Sequence, residues 1–179
     1  MEVLEKLYRG DPLELLPRAR ERVRAQAVML GGDSLFMRTV ARLAQAAHGY
    51  RGLPALDDWI AERMESALRD LLVEDRENEL AGVPFSAQSD PRYRFLTDAL
   101  GIEAGQARRA CNEFNALPMD MRQAFLAVFV DSQSIRDWAG ESRLAPEQVK
   151  RQLRKALYRI GVRRDVNLER LEWEGFGES

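Results

Sequence analysis

The chain of 179 residues holds one cysteine and one histidine. A lone thiol cannot close an internal disulfide, so Cys111 fits a reducing compartment. His48 has no cysteine or second histidine near it, which leaves zinc binding without a ligand set and a Ser-His-Asp arrangement without neighbours. Aromatic residues make up only 8%, and no apolar run approaches the roughly 20 residues that cross a bilayer. The opening MEVLEKLYRGDPLELL carries acids early and lacks an apolar centre, so it does not read as a secretory signal. There is no Gly-rich phosphate loop. Together these gaps predict a cytoplasmic protein with no catalytic residue, no metal, no cofactor and no membrane partner, and argue against an enzyme.

Hydrophobic residues account for 45% and charged residues for 31%, the balance of a folded globular chain. Net charge is −2, which argues against indiscriminate coating of nucleic acid and directs attention to where the charges fall. No segment alternates with a period of two, so the pattern is helical throughout and the fold class is all-α.

Three amphipathic helices are expected first. One covers Pro12 to Leu30, with Leu16, Ala19, Val23, Ala27 and Leu30 on one face and Gly31-Gly32 as its stop. The second, capped by Asp33 or Ser34, runs to about His48 on a stripe of Phe36, Val40, Leu43 and Ala47. The third, Ala55 to Glu74, buries Leu56, Ile60, Met64, Ala67, Leu68 and Leu71. The polar stretch from Glu77 to Arg94 holds two prolines and lacks periodicity, so it reads as a linker. The expected layout is a bundle over residues 1–78, a linker over 79–100 and a second helical domain over 101–179. Short helices are expected at Tyr93–Leu100 and Glu103–Ala116, then one with Met121, Phe125, Val128 and Phe129 on its apolar face.

The segment SIRDWAGESRLAPEQVKRQLRKALYRIG carries the functional argument. Ser134 and Asp137 resemble a capping box. A short helix turns Ile135, Trp138 and Ala139 inward, and small Ala139 suits a close helix crossing. Leu144 plugs the turn, although Arg143 stands where glycine is common. Pro146 opens a longer helix whose Val149, Leu153 and Ile160 meet the same core. Short helix, tight turn and longer helix with a free outer face make a helix-turn-helix. That outer face carries Lys150, Arg151, Arg154, Lys155 and Arg159, continued by Arg163 and Arg164, against one acid, Glu147. Such a basic stripe on an acidic chain is a footprint for phosphates. Gln148 and Arg151 near the helix start are placed to reach the edges of adenine and guanine; the others set orientation on phosphates.

The run LPMDMRQAFLAVFVDSQSIRDWAGESRLAPEQVKRQLRKALYRI resembles the fourth conserved region of bacterial RNA polymerase sigma factors. The matching positions are Leu117, Pro118, Arg122, Phe125, Ala139, Val149, Lys150, Leu153 and Ala156. Tyr50, Gly52, Trp59, Ile60, Asp70 and Leu72 are similar to the second conserved region of the small, two-domain extracytoplasmic-function class. The resemblance covers most of the chain in family order. It implies that the N-terminal domain binds core RNA polymerase and the melted promoter element. The C-terminal domain would bind the polymerase flap and read the upstream promoter element.

Two positions depart from the family pattern. Ser34 to Thr39 replaces the acidic, Gln-containing start of the second helix, and Val73-Glu74-Asp75-Arg76-Glu77 replaces a basic run that meets DNA. These departures keep a second reading open, a sigma mimic that binds an anti-sigma factor or another protein without opening promoters. A stand-alone helix-turn-helix regulator is a third; no dimerisation heptad supports it. Trp59 and Trp138 are read as core, and Glu62, Glu65, Asp70, Glu74 and Asp75 as a solvated helix face. The tail from Val166 to Ser179 is expected to dock on its own domain through Leu168, Leu171, Trp173 and Phe176.

Overall fold

The computed structural model describes residues 11, 13–83, 95–163 and 165–176. Pro12, the centre of the expected linker and Arg164 lie outside these. All regular structure among the described residues is helical, and no helix there is long and apolar enough to cross a membrane. The chain divides into two compact units, Met1–Gln26 with Leu30–Pro84, and Ala27–Met29 with Phe85–Ser179.

The first unit packs α1 (Leu15–Ala25), α2 (Gly32–Ala46) and α3 (Leu56–Leu80). α1 is shorter than expected at both ends. The Asp11 carboxylate accepts from the backbone N–H of Leu15 at 2.7 Å and of Leu16 at 2.6 Å, which sets the start. Ala27 adopts a positive φ of 47°, so the helix stops before the glycines. Gly32 instead opens α2 against α1. A Cβ there would lie 2.5 Å from Arg20 Cγ and 3.2 Å from its Cα, so only glycine permits this approach.

Leu35, Thr39 and Leu43 are the buried residues of α2, and the predicted Phe36 and Val40 are half-buried beside them. Thr39 is satisfied by donating to the Leu35 carbonyl at 2.7 Å. Trp59, Ile60, Met64, Ala67 and Leu68 are buried in α3, while Leu56 is exposed and Leu71 only half-buried, contrary to expectation. Trp59 stacks on Tyr50 with ring centroids 4.6 Å apart, a packing role. α3 continues to Leu80, so Glu77–Leu80 are helix rather than linker; glycine comes only at Gly82, with φ 64°.

The second unit begins, among the described residues after α3, with a π-helical turn, Phe95–Ala99. Leu96 and Leu100, expected in the linker, are fully buried in its core. The 3-10 turn Ala104–Gln106 leads into α4 (Ala107–Asn115), followed by α5 (Met119–Phe125), a π-helical turn at Leu126–Val130, α6 (Ile135–Ser142) and α7 (Pro146–Arg159). Its centre is an aromatic chain. Phe125 lies 5.1 Å from Phe114 and 4.8 Å from Phe129 between ring centroids. Cys111 is buried in the same core, its Sγ 4.0 Å from Met29 Sδ. His48 stays exposed in the 3-10 turn that closes α2.

Candidate nucleic-acid interface

Local chemistry fixes α6 at both ends. The Ser134 hydroxyl accepts from the Asp137 backbone N–H at 3.1 Å and donates to its carboxylate at 2.7 Å. The shorter Asp thus holds the capping hydroxyl from its side chain. Arg143 ends the helix at φ 57° and ψ 35°, a left-handed conformation that costs a non-glycine residue about 1–2 kcal/mol. The Leu144 N–H donates to the Ala139 carbonyl at 3.0 Å, closing the helix end and turning Leu144 toward the core. Ile135 and Ala139 are buried as predicted; Trp138 is half-buried.

α7 starts at Pro146; its Val149, Leu153 and Ala156 are buried, as is Ile160 at its C-cap. A helix turns 100° per residue, so Arg151, Lys155 and Tyr158 form one stripe opposite that core. All three are exposed, Tyr158 at 83%. Arg151 and Lys155 have no hydrogen bond or ion pair among the described residues. Among the described residues, nothing neutralises this basic ridge.

The flanks of the ridge differ from expectation. Lys150, expected to face outward, is 1% exposed. Its ammonium donates to Glu147 at 2.9 Å and to Glu169 and Glu172 at 2.6 Å each. Three donors meet three carboxylates, so the group is saturated and has nothing left for phosphate. Glu147, Glu169 and Glu172 converge as a cation site would, and the Lys150 ammonium is the cation. Arg154 shares Glu169 at 3.4 Å, and Arg159 pairs with Glu113 at 3.0 Å. Both remain exposed but are partly neutralised. The Gln148 side-chain oxygen accepts from the Ala145 N–H at 2.9 Å and caps α7. A bidentate grip on adenine would have to release that cap.

The tail supplies the two acids that composition alone did not place. Leu168 and Leu171 are buried, and the 3-10 turn Arg170–Glu172 sets Glu169 and Glu172 over α7. Glu172 also pairs with Arg136 at 3.1 Å, whose guanidinium lies 3.3 Å from the centre of the Trp173 ring. The signal was the pattern Leu168-Glu169-Arg170-Leu171-Glu172, which repeats apolar and acidic residues every third position.

The cage predicts a pH dependence. Hydrogen bonds from Lys150, with help from Arg136, hold the Glu172 carboxyl below its ordinary value. Hydrogen bonds to Glu169, Glu172 and Glu147, in that order, raise Lys150 above its ordinary range. A depressed carboxyl contributes stability that is present above its unfolded pKa of about 4.3 and lost as pH falls through the folded value. A raised lysine contributes below its unfolded pKa of about 10.4 and loses that contribution as pH rises through the folded value. The cage is therefore whole at neutral pH and opens from the acid side. Thermal midpoints measured from neutral to acid pH should fall less steeply in Glu172→Gln than in the wild type. Identical acid limbs would show that Glu172 carries no such linkage.

Compared with protein-family models, curated proteins and solved structures, the chain matches none.

Proposed function

We propose that α6 and α7 form a helix-turn-helix that binds DNA, and that the chain is a sigma-like transcription initiation protein. In this reading the two compact units are its two domains. The N-terminal unit binds core RNA polymerase, and α7 enters the major groove of an upstream promoter element. The observation that carries the reading is the ridge of Arg151 and Lys155, exposed and without a partner among the described residues, on a helix whose opposite face is buried. Arg151 lies in the first half of α7, where a recognition helix meets base edges, and its fork suits guanine. Lys155 one turn on suits a phosphate. Arg154 and Arg159 add weaker, shared charge, and Lys150 holds the tail rather than DNA.

A second reading has its own observation. α3 ends in Glu74, Asp75, Glu77 and Glu79, with Glu74 bonded to Arg38 of α2. This acidic end repels phosphate and favours a mimic that binds a protein partner such as an anti-sigma factor. In vitro transcription with core RNA polymerase separates the two. Discrete transcripts that require the protein are expected. Their absence, with the core active on another sigma factor and this protein bound to a protein partner, would replace initiation by mimicry.

A further inference from the structure

At the C-terminal end of α7 a groove of about 620 Å³ opens between that helix and α4. Arg109, Glu113, Tyr158, Arg159, Gly161 and Arg163 line it. Three arginines and one glutamate are thus among its lining residues. Arg159 is held by Glu113 at 3.0 Å, which fixes its position and consumes that one negative charge. Arg109 and Arg163 are exposed and have no hydrogen bond or ion pair among the described residues.

A helix C-terminus ordinarily repels anions through its free carbonyls. Here the Val162 N–H donates to the Leu157 carbonyl at 3.0 Å and the Gly161 N–H to the Tyr158 carbonyl at 3.2 Å, with Gly161 at φ 87°. That closure occupies two of the last carbonyls and leaves the arginines to set the sign of the field. Like charges sharing a groove repel each other, and an anion between them removes the repulsion.

We infer that this groove binds a phosphate group, with Arg109 and Arg163 supplying the charge and Arg159 a fixed, pre-oriented fork. Planar guanidinium groups match phosphate oxygens in pairs. Tyr158 belongs both to this groove and to the outward ridge of α7, so a DNA strand on the ridge would lay a backbone phosphate here. The inference rests on the DNA-binding reading for the carrier of the phosphate, and on the groove alone for the site.

Two measurements on the full chain test it. Inorganic pyrophosphate is titrated into isotopically labelled protein while the amide signals of Gly161 and Val162 are followed. Binding to a short DNA duplex is measured against salt. The expected result is a saturable shift at both amides, weakened about tenfold in Arg109→Ala and Arg163→Ala. Each variant should also lower the salt slope on the duplex by about one. Both arginines are exposed and have no partner among the described residues, so neither variant should unfold. Amide shifts without duplex binding would keep the site, assign it to a free phosphate compound and remove the DNA-binding reading. Duplex binding with unchanged salt slopes and no amide shift would overturn the phosphate site and leave that reading standing. Silence in both would overturn both.

Discussion

A chain that stops at Val166 should lose about 3–6 kcal/mol of the stability of the C-terminal unit, because two fully buried leucines contribute about 1.5–3 kcal/mol each. Leu168 and Leu171 are 4% and 6% exposed and belong to the same core as Phe125 and Val149. The ring of Phe176 meets that of Phe129 edge-on at 5.2 Å. At Gly175 an added Cβ would sit 1.7 Å from the Ser132 carbonyl oxygen, so the tail lies directly on the backbone of the turn before α6. Truncation would also strip the Lys150 ammonium of Glu169 and Glu172. Small domains are stable by only about 5–15 kcal/mol in total, so the loss is a large fraction. Thermal unfolding followed by circular dichroism would read it, with Leu171→Ala as a milder companion expected to cost about 2–5 kcal/mol. A truncated chain with the midpoint of the full one would show that the tail adds nothing to the core.

The dependence on the tail marks the limit of what local pattern discloses. Periodicity of three and four placed the helices because burial of one face is a local property of a helix. Ser134 with Asp137, and Pro146, marked helix starts because capping is local too. Ala139, Val149, Leu153 and Ile160 were legible as core for the same reason. What escaped was set by residues distant in sequence. α1 ends early where Ala27 takes a positive φ, and the backbone N–H of Met29 donates to the Asn115 side chain, 86 residues on, at 2.7 Å. Lys150 looked like one more cation on a basic face, and two of the three acids that enclose it, Glu169 and Glu172, come from a segment 19 or more residues later. Helical spacing puts Lys150 on the border between core and solvent, and only the tail decides which side it takes. Gln148 was read by its chemistry toward a base, while its nearest unmet donor was the Ala145 N–H of its own helix start.

The largest functional effect is expected from reversing the ridge itself. Arg151→Glu with Lys155→Glu should weaken DNA binding by roughly a hundredfold or more, since one base contact alone is worth about 5- to 150-fold and each reversed charge adds repulsion from phosphate. The fold should survive, because both side chains are exposed and hold no partner among the described residues. The two positions differ in kind. Arg151→Ala alone should relax sequence preference at one base pair, and Lys155→Ala alone should weaken all sequences alike and lower the salt slope by about one. Lys150→Ala makes the contrast. Its ammonium is shut away from solvent, so its loss should lower the thermal midpoint and loosen the tail before it touches DNA affinity. Binding measured by fluorescence anisotropy on matched and scrambled duplexes, beside thermal unfolding of each variant, separates these effects. Full DNA affinity in the double charge reversal would remove α7 as the recognition helix, whatever the rest of the chain does at a promoter.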